Sequence, residues 1–260
     1  MADNMTFWDH LDELKKYLVR IIVVALSFTV VAFVLKEPIF NVILAPQSSE
    51  FATYRLLEKI GLLSADSAFS VSLINTGLAS QFLTHMRVSL WIGILGSLPY
   101  IIYSIFGFVA PALYEHEKRH ATRFVVSGYF MFMLGCLVGY FVIFPFTFRF
   151  LGTYQVNDMV DNMINLSSYI STMMSMVMMM GAIFEIPMLC LLFARIGVLS
   201  SATMTEYRKH AVVVILILAA VITPTGDPFT LSLVALPMWG LYELGLRLVR
   251  RVEKHKITTT

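Results

Sequence analysis

Apolar residues in this chain fall into long runs, not into alternation. Six runs approach or reach the roughly 20 residues that a helix needs to cross a bilayer core of about 30 Å. They cover about Tyr17 to Leu35, Met86 to Ile105, Phe124 to Phe146, Tyr169 to Phe193, Ala211 to Thr223 and Phe229 to Leu246. The pattern predicts an all-α polytopic membrane protein with six transmembrane helices, residues 1–260 forming one membrane domain. The fifth run spans only about 20 Å as a helix. The sequence ProThrGlyAspPro at 224–228 joins it to the sixth by a tight turn, because two prolines and a glycine bend the chain there. Short fifth and sixth helices are therefore expected, as a hairpin that thins the bilayer or is sheltered by its neighbours. Extension of the spans by Tyr207, Ile222 and Trp239 is the alternative.

The polar segments set the orientation. Six spans place both termini on one side. If that side is cytoplasmic, the inner segments 1–16, 106–123, 195–210 and 247–260, with the adjoining helix ends, hold fourteen of the nineteen basic residues: Lys15, Lys16 and Arg20; Lys118, Arg119 and Arg123; Arg195, Arg208 and Lys209; and Arg247, Arg250, Arg251, Lys254 and Lys256. The outer side holds Lys36, Arg55, Lys59, Arg87 and Arg149. This bias predicts cytoplasmic termini. Within 1–16 and just beyond, Phe7, Trp8, Leu11, Leu14 and Leu18 share a helix face opposite Asp9, Asp12, Glu13 and Lys16, so an amphipathic helix at the membrane surface is expected. The outer loop 36–85 is expected to cap the helix ends and to hold a short helix over 49–60, with Ser49 as its N-cap and Gly61 as its stop.

Composition agrees: 58% of residues are hydrophobic and 14% charged, against about a quarter charged in soluble domains. The net charge of +2 points to no nucleic-acid partner. No cleavable signal peptide is expected, since the first 16 residues are polar or amphipathic and the run behind them is long. Cys136 and Cys190 lie within apolar runs without metal-ligand spacing and read as inert thiols. The six histidines fall at or beyond the span boundaries, and no nucleophile elbow, zinc-protease motif or phosphate loop occurs, so no catalytic site, metal or cofactor is expected.

One charge lies deep in a span. Glu185 is ten residues from Arg195, or about 15 Å from the inner boundary, where a carboxylate costs several kcal/mol unless protonated, hydrated or paired. It marks a functional site, or it hydrogen-bonds a polar group elsewhere in the chain. Pro187 bends the helix nearby. The same run carries Met173, Met174, Met176, Met178, Met179, Met180 and Met188, which suit either core and lipid-facing filling or an adaptable partner surface.

The sequence HisLeuAspGluLeuLysLysTyrLeu at 10–18 resembles the N-terminal motif of the TatC family, the multispanning subunit of the twin-arginine translocase. PheGlyPheValAlaProAlaLeuTyrGluHisGluLysArg at 106–119 is similar to that family's first cytoplasmic loop, and PheGluIlePro at 184–187, ThrProThrGlyAspPro at 223–228 and AlaLeuProMet at 235–238 follow in its order. The resemblance covers nearly the whole chain. It implies a receptor and scaffold in the bacterial cytoplasmic (inner) membrane that binds twin-arginine signal peptides of folded cargo. It also implies assembly with the single-span partners TatA and TatB, self-association, and export driven by the proton-motive force.

Carried over by residue, the resemblance implies signal-peptide recognition by Glu13, Leu14 and Lys15 with Pro111 and Glu117, a partner-helix role for Glu185, and outer-loop motif positions at Pro46 and Asp227. Two arginines call for two carboxylates, because each guanidinium fork can take one in bidentate fashion. The sequence departs from the family where Lys15 replaces a common arginine and Tyr17 a frequent basic residue. A proton- or ion-coupled small-molecule transporter using Glu185 is the other reading. It calls for internal symmetry and paired broken helices, and neither is evident.

Overall fold

The computed structural model describes residues 7–61, 71–109, 115–157, 162–223 and 225–259, with side chains described except at 7–10, 106, 109, 115–125 and 255–259. The chain divides into two compact units, one formed by Met1–Ile43 and Thr76–Tyr129, the other by Leu44–Asn75 and Phe130–Thr260.

In the first unit, α1 (Phe7–Val34) runs unbroken from the polar N-terminal segment into the apolar run. The expected amphipathic surface helix is therefore the opening of a spanning helix, because no breaker separates the two. After a one-residue break at Leu35, α2 (Lys36–Leu44) follows, with Pro38 in its first turn, where a missing N–H loses no helical bond. Across the unit, α4 (Ser80–Val109) packs on α1. A Cβ at Gly93 would fall 2.7 Å from the backbone nitrogen of Thr29 and 2.8 Å from its Cα, so the helices approach this closely only because Gly93 has no side chain.

The second unit begins with a short helix, α3 (Ala52–Lys59). The expected cap at Ser49 is not used: Phe51 holds the N-cap position without a side-chain bond, and the nearby Ser48 hydroxyl accepts from Glu50 N at 3.2 Å. The stop is at the expected place, since Gly61 is left-handed, at φ +76°. Next, α5 (Glu115–Val138) passes from the first unit into the second and runs through a π-helical turn, Gly139–Ile143, into α6 (Phe144–Thr153). On the facing side, α7 (Leu166–Phe184) lies so close that a Cβ at Gly135 would be 2.5 Å from Met180 O and one at Gly139 would be 2.9 Å from Val177 Cα. Met173, Met174, Met176 and Met180 fill the core here, while Met179 is exposed.

Two three-residue strands were not anticipated. They are β1 (Ser72–Ile74) and β2 (Met163–Asn165), paired in parallel with Leu73 opposite Ile164. Asn165 then caps α7, accepting from Ser167 N at 2.9 Å.

The C-terminal region contains α8 (Ile186–Ile196), α9 (Ser201–Glu206), α10 (Arg208–Ile222) and α11 (Pro228–Thr259). Among the described residues, five helical stretches are long and apolar enough to cross a membrane: Leu11–Val34, Ser80–Ile105, Val126–Thr153, Leu166–Ile196 and Pro228–Lys254. At 15 residues, or about 22 Å, α10 falls short of a full crossing, as expected for the fifth run. The short sixth helix expected from the sequence is corrected, since α11 has 32 residues. Its apolar run ends near Leu246, but the helix continues because Leu246 and Val249 are buried against Ala194 and Met204.

Candidate functional site

The sequence-derived site residues fall in both units. In the first, Glu13 is half-buried on α1, with Leu14 and Lys15 exposed beside it. Pro111 and the side chain of Glu117 lie outside the described residues.

Glu185 in the second unit stands between α7 and α8. Pro187 causes this break, since a proline nitrogen donates no helical bond and its ring crowds the carbonyl four residues back, that of Ile183. The backbone of Glu185 is satisfied on both sides: its N–H donates to Ala182 O at 3.2 Å, and its carbonyl accepts from Leu189 N at 2.9 Å. Its carboxylate is not. Oε1 is buried and finds no hydrogen-bond partner among the described residues, within a stretch whose helices otherwise bury methionine, isoleucine and phenylalanine.

Pro46 packs into a joint between the long loop and the π-helical turn. Pro145 cannot donate to Phe141 O four residues earlier, and that freed carbonyl accepts from Thr53 Oγ1 at 2.5 Å. The next residue, Tyr54, directs its hydroxyl between Pro145 O at 2.9 Å and Pro46 O at 3.3 Å. Burial raises the Tyr54 hydroxyl well above its ordinary range, with the Arg149 guanidinium pulling the other way, so it remains a donor. Pro46 is thus held through its carbonyl by Tyr54, a residue whose role sequence reasoning passed over. Pro145 was the available signal, since a proline inside an apolar helix leaves a carbonyl to be satisfied.

Asp227 caps the last helix. Gly226 supplies the left-handed turn at φ +58°, Pro228 opens α11, and the Asp227 carboxylate accepts from Thr230 N at 2.8 Å, Thr230 Oγ1 at 2.6 Å and Thr225 Oγ1 at 2.5 Å. Burial alone would raise its pKa, but these bonds outweigh it and hold the carboxyl below the usual carboxylate range. A depressed folded pKa stabilises the fold above the unfolded value, near 4, and the contribution is lost as pH falls through the folded value. Asp227→Ala is expected to weaken the hairpin by about 1 kcal/mol at pH 7 and by less at pH 3, where the carboxylate has begun to protonate. Thermal unfolding at the two pH values measures this, and an equal loss at both would remove the charge from the explanation.

The C-terminal end of the unit is tied by polar contacts. Arg208 pairs with Glu243 at 2.6 Å, Tyr242 Oη donates to Met204 O at 2.6 Å, and Ser201 donates from its backbone N–H to Glu253 at 2.8 Å and from its hydroxyl to the same carboxylate.

The family described as Sec-independent protein translocase protein (TatC) matches residues 9–237. The chain belongs to the TatC family. The TatC protein of Blattabacterium from Periplaneta americana is 32% identical, with 98% of each chain covered. That of Deinococcus radiodurans is 34% identical over 94% of this chain and 85% of its own, and that of Escherichia coli K12 is 29% identical over 95% and 88%. A crystal structure of the twin arginine translocase receptor TatC superposes with a TM-score of 0.73 at 27% identity, covering 93% of this chain and 98% of the other. As a TatC protein the chain is a multi-pass membrane component of the translocase and not an enzyme, in keeping with the five apolar spans among its described residues.

Proposed function

We propose that this chain is the receptor and scaffold subunit of a twin-arginine translocase in a bacterial cytoplasmic membrane. The whole chain serves as one membrane domain with six spans, α10 being the short fifth, and with both termini cytoplasmic. Glu13, flanked by Leu14 and Lys15, joins Glu117 and Pro111 in recognising the paired arginines of signal peptides on folded cargo. Single-span TatA- and TatB-like partners assemble on the membrane face at Glu185, copies of the chain associate with one another, and Pro46 and Asp227 order the outer loops.

The observation that carries this reading is the buried Glu185 Oε1 without a hydrogen-bond partner among the described residues. Leaving such an atom unpaired in an apolar setting costs about 1–3 kcal/mol, and a polar side chain on a second helix removes that cost. Family membership supports the cytoplasmic recognition site, and Glu13 lies at the N-terminal end of a continuous spanning helix, where it is half-buried and within reach of a peptide.

The test uses cells lacking their own TatC. This chain, expressed with its cognate small subunits, is expected to restore export of a folded twin-arginine cargo, and a photo-crosslinker at residue 13 is expected to capture the signal peptide. Replacing the two arginines of the peptide with lysines should abolish both. Equal capture of the two peptides would sink the recognition claim, since it would mean that the fork geometry of arginine is not being read.

A further inference from the structure

The outward face of α11 changes character along its length. Phe229, Ser232, Leu236, Gly240 and Leu244 are all exposed, each three or four residues from the last, so they form one stripe along the helix. The same stripe continues as Arg247, Arg250 and Arg251, again exposed, while Leu246 and Val249 on the other side are buried. An apolar face that becomes cationic within one turn fits a surface passing from acyl chains to headgroups. The Arg250 guanidinium is held in place by a 3.1 Å hydrogen bond from Nη2 to Thr205 Oγ1.

A cavity of about 390 Å³ lies between α10 and α11 on this side, lined by Val212, Leu216, Ser232, Ala235, Leu236 and Trp239. Trp239 and Arg250 are eleven residues apart, about 16 Å along the axis, a separation that one acyl chain covers below its phosphate. Glu243 lies between them, but its carboxylate is paired with Arg208 at 2.6 Å, which offsets its repulsion of an anion.

We propose that the outward face of α11 and the α10–α11 cavity form a binding site for one anionic phospholipid, its headgroup phosphate held by Arg247, Arg250 and Arg251 and an acyl chain seated against Leu236 and Trp239. Basic residues at helix ends are expected wherever orientation is set by charge. What singles these out is that they continue the outward stripe beyond the apolar cavity between α10 and α11. Each basic side chain at an anionic surface strengthens association by a factor of about five, so three together favour an anionic over a zwitterionic headgroup by about two orders of magnitude before competition among sites.

The test reconstitutes the full chain with spin-labelled phosphatidylglycerol or phosphatidylcholine and measures the motionally restricted fraction of each. The parent chain is expected to prefer phosphatidylglycerol severalfold, and the triple change R247Q/R250Q/R251Q should bring the ratio close to one. R247K/R250K/R251K should retain most of the preference, and Ala235→Trp, which fills the cavity, should lower the restricted fraction of both lipids. K59Q, at an exposed cation in α3, should change nothing. No preference in the parent chain, an unchanged preference in the triple glutamine variant, or an equal loss with K59Q would each overturn the proposal.

Discussion

Glu185→Ala is expected to leave the isolated chain at least as stable as the parent while lowering export of a folded twin-arginine cargo tenfold or more. The two effects have opposite signs for one physical reason. Glu185 Oε1 is buried without a hydrogen-bond partner among the described residues, so removing it relieves an unmet desolvation cost of about 1–3 kcal/mol. The helix break it occupies is set by Pro187 and by backbone bonds to Ala182 and Leu189, none of which needs the side chain. Under the proposed function, the same deletion removes the group that a partner's membrane helix pairs with. Thermal unfolding in detergent and an export assay on the same variant separate the effects, and a large loss of stability would show that the carboxylate serves this chain's own fold. Glu185→Gln keeps a hydrogen-bonding group without the charge and should fall between parent and alanine variant in export.

Glycine substitutions give the second large effect. Gly93→Val is expected to destabilise the first unit by 3 kcal/mol or more, because even its Cβ would stand 2.7 Å from Thr29 N and 2.8 Å from Thr29 Cα. Backbone atoms cannot rotate away, so α1 and α4 must move apart and lose their contact. Gly240→Ala in α11 should act the other way. Nothing lies within 4 Å of a Cβ there, and alanine in a helix interior gains about 0.5–1 kcal/mol over glycine. Unfolding midpoints measured in one detergent decide the matter, and similar shifts for the two substitutions would remove close packing from the account of α1 and α4.

Most of the helices were legible in the runs of apolar residues, because a spanning helix needs length and apolarity, both of which are local properties. The breaks were partly legible. Pro187 announced the interruption beside Glu185, and Gly226 between Pro224 and Pro228 announced the turn before α11. The length of α11 was not legible, since the residues that extend it past Leu246 are basic and its burial there depends on α9 and α8, elements distant in the chain. Ser49 was a plausible cap by type, but the backbone starts its helix three residues later. The strand pair was hidden for a similar reason: three-residue strands carry almost no periodic signal, and residues paired between β1 and β2 are 91 positions apart.

By itself, the sequence determined the membrane class, the helical content, the uneven length of the fifth run and the presence of a single acidic residue deep in an apolar stretch. These follow from how many polar groups a segment asks a bilayer to accept. Only the tertiary structure decided that Glu185 Oε1 is buried without a hydrogen-bond partner among the described residues, that Tyr54 and Thr53 secure the loop bearing Pro46, and that the arginines of α11 continue its outward stripe. Those facts concern which groups meet across hydrogen-bonding distance or share one exposed face, and such meetings are fixed by packing between segments far apart in sequence.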